Sequence, residues 1–468
     1  MYFLKKSRFF VISLVLSVVY YLFAYDLQRT DFNKLLLFWS ILFIGYYLLI
    51  SHKHKISTKS LVIISVVFRI IFLLAIPNLS QDFYRFIWDG RMLFEGFNPY
   101  LSLPQNFIEE GNFPISQAEE LYKGMGSMNG SHYTNYPPLN QFCFFLASLF
   151  SNSSILGAVI VMRSIIIFAD IGILYFGSAL LKNFNKNPKL IFLYILNPFI
   201  IIELTGNLHF EPVMLFFFVW SLYLLQKKKW LLSAFILAFS INIKLIPLLF
   251  LPLYLKWFMT DVNFKFKKEN FGKLILFYTI VIITSITFFI PFYNPTLLAN
   301  YSNSVGLWFR NFEFNASFYY IFREIGYLFR GYNEIAVIGK IMPFLTVLFL
   351  IFLSVFKRNK PTKELITSML FALSFYYFTT TTMHPWYLAT LVIISVFTNY
   401  KYPLLWSFVV ILSYQAYANT PWKENLWFVS IEYIIVYSYL IYELATKTKP
   451  TQKLSGKNCY EKEKESGL

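Results

Sequence analysis

NLSQDFYRFIWDGRMLFEGFNPY, residues 78–100, is the stretch on which the reading of this chain turns. It follows an apolar run that ends at Pro77, and it holds Asp82, Arg85, Asp89, Arg91 and Glu95 in a chain that is only 14% charged. Tyr84, Phe86, Trp88, Phe94, Phe97 and Tyr100 are interleaved with those charges. A plain connection between two membrane helices needs no such density of both kinds, so the stretch reads as a functional loop at a membrane surface.

The rest of the composition supplies the membrane. The 468 residues are 57% hydrophobic and 21% aromatic, with a mean hydropathy of +0.54. Soluble domains are about 45–50% apolar and about 25% charged, and only a bilayer solvates this much apolar surface. The net charge of +17 does not indicate nucleic acid. Its lysines and arginines gather in short turns and at the C-terminus, as in a positive-inside topology. Cys143 and Cys459 have no metal-ligand spacing, and no disulfide is expected between an apolar run and a polar tail. The N-terminal run lacks a small-residue cleavage site and is read as an uncleaved first helix.

Apolar runs at 9–25 and 34–50 have spanning length. Lys5, Lys6 and Arg8 precede the first, and Lys53, Lys55 and Lys59 follow the second, so both flanks are placed in the cytoplasm. A third helix, about 60–77, then delivers residues 78–137 to the opposite face. Continuing in this way gives an all-α, polytopic transmembrane helix bundle of about 12–14 spans. The count is open at 139–181 and 230–256. Basic turns at 182–189, 227–229, 265–273 and 357–363 fall on the cytoplasmic side. The polar-aromatic segments 78–100, 131–141, 203–212, 300–324 and 379–388 all fall on the other. One transmembrane domain is expected over 1–445, with outer loops 78–137 and 293–334 and a charged cytoplasmic tail, 446–468.

Several residues in those outer segments can carry chemistry. Asp82 and Asp89 follow a helix end, where a carboxylate stays ionised and can take a proton from a hydroxyl. Arg85 and Arg91 can hold a phosphate, or can form a local network with the two aspartates. His209 and Glu211, with Glu203 in the apolar run before them, are ionisable groups at the membrane edge, which are expensive to keep there. They suit sugar or phosphate contacts, and a divalent metal is open as a partner. Lys244, inside the run INIKLIP, either pairs with an acid or faces a phosphate. Arg310 and Asn315 in FRNFEFNASFYY, and His384 in HPWY, set hydrogen-bonding groups among aromatic faces, a mixture suited to sugars. Arg163 and Asp170 are read as a structural pair or as members of separate networks.

Taken in order, QDFYRFIWDGR and GFNPY at 81–100, YPPLNQ at 136–141, NPFIIIELTGNLHFEP at 197–212, IKLIPLL at 243–249, FEFNASFYY at 312–320 and HPWYL at 384–388 resemble the GT-C superfamily of polytopic glycosyltransferases. They most resemble its bacterial polyprenol-phosphate-mannose-dependent mannosyltransferases. The resemblance covers about 60–390. It implies transfer of a hexose, mannose foremost, from a polyprenyl-phosphate donor to a glycan or lipid acceptor, with inversion, on the outer face of a bacterial plasma membrane. It also implies that Asp82 is the catalytic base. Gln81-Asp82 stands where superfamily members often pair two acids, so a metal is not required by the pattern. Arg85, Asp89, Arg91, His209, Glu211, Lys244, Arg310, Asn315 and His384 are the expected substrate contacts. A transporter or flippase for a lipid-linked or polar substrate, and a surface-glycan polymerase or ligase, are the alternative readings.

Overall fold

The computed structural model describes residues 2–447 apart from 54, 152, 262, 264, 311 and 420; side chains are described from residue 7 onward, without those of 307–311. The described residues are mostly helical, with two isolated bridges, Thr260 to Phe266 and Phe314 to Thr382, and no strand. Among the described residues six helices are long and apolar enough to cross a membrane: Ser7–Tyr25, Phe32–Ser51, Ile155–Asn183, Lys268–Phe292, Ile335–Val355 and Leu426–Lys447. Pro188–Ile195 and Ile200–Gly206, bent by 62°, make a seventh if taken together. The chain is an integral membrane protein. Large side chains such as Ile283, Phe344 and Ile434 are more than half exposed on the long helices, as a lipid-facing surface requires.

The expected 12–14 spans therefore resolve into six or seven full-length helices and several shorter apolar ones, among them Glu211–Gln226, Trp230–Ile243 and Pro385–Phe397. Every residue from Leu388 to Phe397 is buried. A helix enclosed by other helices need not reach both surfaces, because protein rather than lipid satisfies its ends. The uncertain stretch 139–181 becomes two helices, Pro138–Ser151 and Ile155–Asn183. The Ser154 side chain caps the second by accepting from Gly157 N. The third helix is shorter than expected, Thr58–Ile70.

The broken segment is held by charges buried in the bundle. At the π-helix Ile200–Gly206, Arg163 donates to the carbonyls of Thr205 and Gly206 at 2.8 Å each and to Leu73 O at 3.0 Å. A helix end frees carbonyls, and a guanidinium with five donors can collect several at once. Asp170 is committed elsewhere, accepting from Arg69 Nε at 2.8 Å with both side chains 2% exposed. Arg163 and Asp170 thus serve separate networks.

The two ends of the bundle differ in charge. At one end lysines tie the turns together: Lys189 Nζ donates to Lys53 O and Ile56 O, Lys186 Nζ to Phe397 O and Thr398 O, and Lys360 Nζ to Thr260 O. At the other end the long loops fold into helices of their own. Residues 78–137 contain Asp82–Phe94, Pro104–Glu109 and Ala118–Gly130. Residues 293–334 contain Leu297–Arg310 and Phe318–Arg330.

Helix Asp82–Phe94 positions the site. It buries Phe83, Phe86, Ile87, Trp88 and Met92, and it packs against Pro138–Ser151 where Phe86 stacks on Phe144 at 4.7 Å. Gly90 permits the approach, since a Cβ there would lie 2.2 Å from the Phe144 carbonyl oxygen. Backbone cannot swing aside as a side chain can. Gly90→Ala is expected to destabilise the protein by about 1–3 kcal/mol, the usual cost of overpacking, and to lower its thermal-inactivation midpoint in detergent. An unchanged midpoint would mean that the two helices part without cost.

Candidate active site

A cavity of about 990 Å³ opens at the end of the bundle opposite the lysine-rich turns. Asp82 faces it from the first turn of helix Asp82–Phe94, where the helix dipole favours a carboxylate. Asn129 Nδ2 donates to Asp82 Oδ1 at 3.3 Å. The end of helix Ala118–Gly130, which carries Asn129, is pinned from behind: Arg85 Nη1 donates to Asn129 O at 2.5 Å and to His132 O at 2.9 Å, while its Nε holds Asp89 at 2.8 Å. Gln141 completes that network, donating to Asp89 Oδ2 at 3.0 Å.

Lys244 supplies a cation to the same cavity. Helix Trp230–Ile243 stops before it, and Lys244 is extended, with φ −148° and ψ 145°. Pro247, three residues on, has no N–H to continue an α-helical ladder. The lysine inside the apolar run INIKLIP therefore sits at a helix break. Its Nζ lies 2.5 Å from Glu211 Oε1, with the lysine side chain 17% and the glutamate 3% exposed. Arg29 is the second cation on the cavity wall. Its guanidinium lies 4.2 Å from the centre of the Tyr417 ring.

The remaining wall is aromatic. His209, Trp386 and His384 form a stack, with ring centres 3.9 Å and 4.5 Å apart. Phe314 continues it at 5.3 Å from His384. Loop 312–315 is tied to the His384 loop by Phe314 N to Thr381 O at 3.1 Å and Met383 N to Phe314 O at 2.8 Å. Leu208, immediately before His209, has a φ of 61°. A branched residue in the left-handed region is held there only by its surroundings, and such strain gathers at functional sites. Leu245, Ile246, Leu249, Val347 and Leu350 add an apolar side.

Electrostatics separate the titratable groups. Burial raises the pKa of Asp82 above the usual carboxylate range, while Lys244, the Asn129 hydrogen bond and Arg29 oppose the rise. Burial, aided by Lys244, pushes His384 down to about 3. The same two causes, and His384 itself, hold His209 well below its ordinary value. Both histidines are neutral at physiological pH, so His384 acts there through stacking and neutral hydrogen bonds rather than as a cation. His384→Gln is expected to leave the acid limb of the activity profile where it stands. A limb displaced by half a pH unit or more would return proton transfer to His384.

Of the residues expected from the sequence, Asp82, His209, Lys244 and His384 converge on the cavity, with Glu211 directly behind Lys244. Arg85 and Asp89 stand behind the wall as the network just described. Arg91 lies farther back, donating to Ser116 O, Gln117 Oε1 and Ser153 O. Asn315 is fully buried away from the cavity, its N–H donating to Glu424 and its Nδ2 to Glu432. The Arg310 side chain lies outside the described residues. Among the described residues no three histidine, cysteine or acidic side chains converge as a metal-ligand set: Glu203 accepts from Tyr414, Glu211 is paired with Lys244 and His209 is stacked. Arg29 carries no local signal in the sequence, because it sits in the short polar turn YDLQRTDFN between two apolar runs. Only the fold brings it beside Asp82.

The model of the family described as "Alpha-(1->6)-mannopyranosyltransferase, N-terminal domain" matches residues 28–260. The N-terminal half of the chain is similar to that domain. The matched region contains Arg29, Asp82, His209, Glu211 and Lys244. A curated protein, Alpha-(1->6)-mannopyranosyltransferase A of Corynebacterium glutamicum, is 23% identical over 187 residues, 38% of this chain. The match spans 34% of the relative's length. Both findings support the GT-C-type mannosyltransferase resemblance carried by the motifs.

Proposed function

We propose that this protein is a membrane glycosyltransferase that moves mannose from a polyprenyl-phosphate donor to a hydroxyl of a glycan or lipid acceptor. The family match supports mannose transfer, and one observation carries the chemistry: a carboxylate with a raised pKa, Asp82, faces two cations, Lys244 and Arg29, across one cavity. The reaction needs one group to accept a proton and others to hold a departing phosphate. The donor's isoprenoid chain lies along the apolar side and its phosphate meets Lys244 and Arg29. The acceptor hydroxyl gives its proton to Asp82, and its oxygen forms a bond to the anomeric carbon. The bond from that carbon to the phosphate oxygen breaks on the opposite face, and the electron pair leaves with polyprenyl phosphate. Inversion follows from the single displacement. His209 Nε2, on the cavity wall, buried and without a protein partner among the described residues, is placed to take a sugar hydroxyl, while Glu211 holds Lys244 from behind.

In this reading the lysine-rich end is cytoplasmic by the positive-inside rule. The cavity then opens on the outer face of a bacterial plasma membrane, within one transmembrane domain. The test uses purified protein with polyprenyl-phosphate mannose, glucose and arabinose, and with GDP-mannose, scored for transfer to an alkyl mannoside with and without EDTA. Transfer from polyprenyl-phosphate mannose, insensitive to EDTA, is expected. Transfer from GDP-mannose alone would overturn the donor assignment.

A further inference from the structure

We infer that a second sugar subsite adjoins the Asp82 cavity and holds the penultimate residue of a neutral oligosaccharide acceptor; this rests on the glycosyl-transfer reading above. A separate cleft of about 540 Å³ lies between the start of helix Phe32–Ser51 and the segments at 415–418 and 428. That volume is in the range of small-ligand clefts, about 300–1,000 Å³. Thr30 lines both the cleft and the Asp82 cavity. On the facing side Ala418 lines the cleft and its neighbour Asn419 lines the cavity. A chain whose terminal hydroxyl sits at Asp82 can therefore run on past Thr30 into the cleft.

The cleft's chemistry selects the ligand. Phe32 and Phe428, both half-buried, meet edge to face at 5.5 Å and offer an apolar surface. Gln415 Oε1 is buried and has no partner among the described residues, so it calls for a donor such as a hydroxyl. Asn33 adds an exposed amide at the rim. The cleft's one cation, Lys34, is answered within the protein by Asp26 at 2.6 Å, which leaves no lone positive charge for an anionic ligand. Asp31, the cleft's carboxylate, is exposed at the rim and repels an anion while it can accept from hydroxyls; with the apolar ring face, the buried acceptor and the rim amide it suits an uncharged, hydroxyl-rich ring.

The experiment compares octyl mannoside with octyl di- and trimannoside as acceptors, all sharing one alkyl chain so that lipid contact is common to them. The wild-type protein is expected to show kcat/KM about tenfold higher for the longer acceptors. Gln415→Ala and Asn33→Ala are expected to lose most of that preference through KM, with octyl mannoside turned over within about twofold of wild type. One hydrogen bond of about 1.4 kcal/mol corresponds to that tenfold. Equal kcat/KM for all three acceptors in the wild type, or a preference that both variants keep, overturns the subsite and leaves the transfer reaction standing. No transfer to any acceptor from any polyprenyl-phosphate sugar overturns the reading beneath it.

Discussion

Asp82→Asn is expected to lower sugar transfer by about 10²–10⁴-fold, the usual contribution of a positioned general base, while donor lipid still binds. Asparagine keeps the shape of the side chain and can still meet Asn129, so folding and the cavity wall are preserved. It cannot accept a proton at neutral pH. Donor binding, read by protection against thermal inactivation with polyprenyl-phosphate mannose, should stay within a few-fold of wild type. Wild-type turnover would remove Asp82 from the base role. The pH profile gives a second reading. The base works only when ionised, and burial raises its pKa, so activity should fall away on the acid side at a higher pH than an ordinary carboxylate near 4 would give.

Lys244→Met should act at three levels. Loss of a charge-assisted hydrogen bond to phosphate, about 1.5–3 kcal/mol, lowers kcat/KM by about 10–100-fold. Lys244 also holds the pKa of Asp82 down, so its removal moves the acid limb to still higher pH. Finally, Glu211, 3% exposed, loses its cation. Leaving one member of a buried pair alone costs about 3–5 kcal/mol. The double variant Lys244→Met with Glu211→Gln removes the stranded charge. It should recover stability but not transfer. A double variant as unstable as the single would show that the pair is not what the fold depends on, and full transfer in it would take the phosphate away from Lys244.

Much of this was legible in the sequence because membrane proteins announce their lipid-facing helices by composition. Phe32–Ser51 and Ile335–Val355 appear as apolar runs, and the lysine turns orient them. The interior helices are less legible. Leu388–Phe397 is short and enclosed, so hydropathy alone cannot separate it from a span. In the site, Asp82, His209 and His384 stood out because ionisable groups are costly beside apolar runs. The same cost marks Arg85, Asp89 and Arg91, which answer it by bonding to one another, to Gln117 and Gln141 and to backbone, while Asn315 is taken up by two glutamates. Whether an arginine faces a cavity or closes a loop depends on contacts made across 25 to 62 residues of chain, as at Arg91, and no local pattern encodes that. Arg29 is the converse case, an unremarked turn residue that the packing of Tyr417 turns into a cavity wall.

The apolar side formed by Leu245, Ile246, Leu249, Val347 and Leu350 bears on how the enzyme would meet its donor. A polyprenyl lipid that enters between helices diffuses in two dimensions, and the protein samples its mole fraction in the membrane rather than its concentration in the vessel. Diluting the bilayer or micelle with inert lipid then slows the reaction at constant total donor. A water-soluble acceptor obeys the ordinary volume concentration. Two substrates of one reaction would thus be counted in different units, one per area and one per volume.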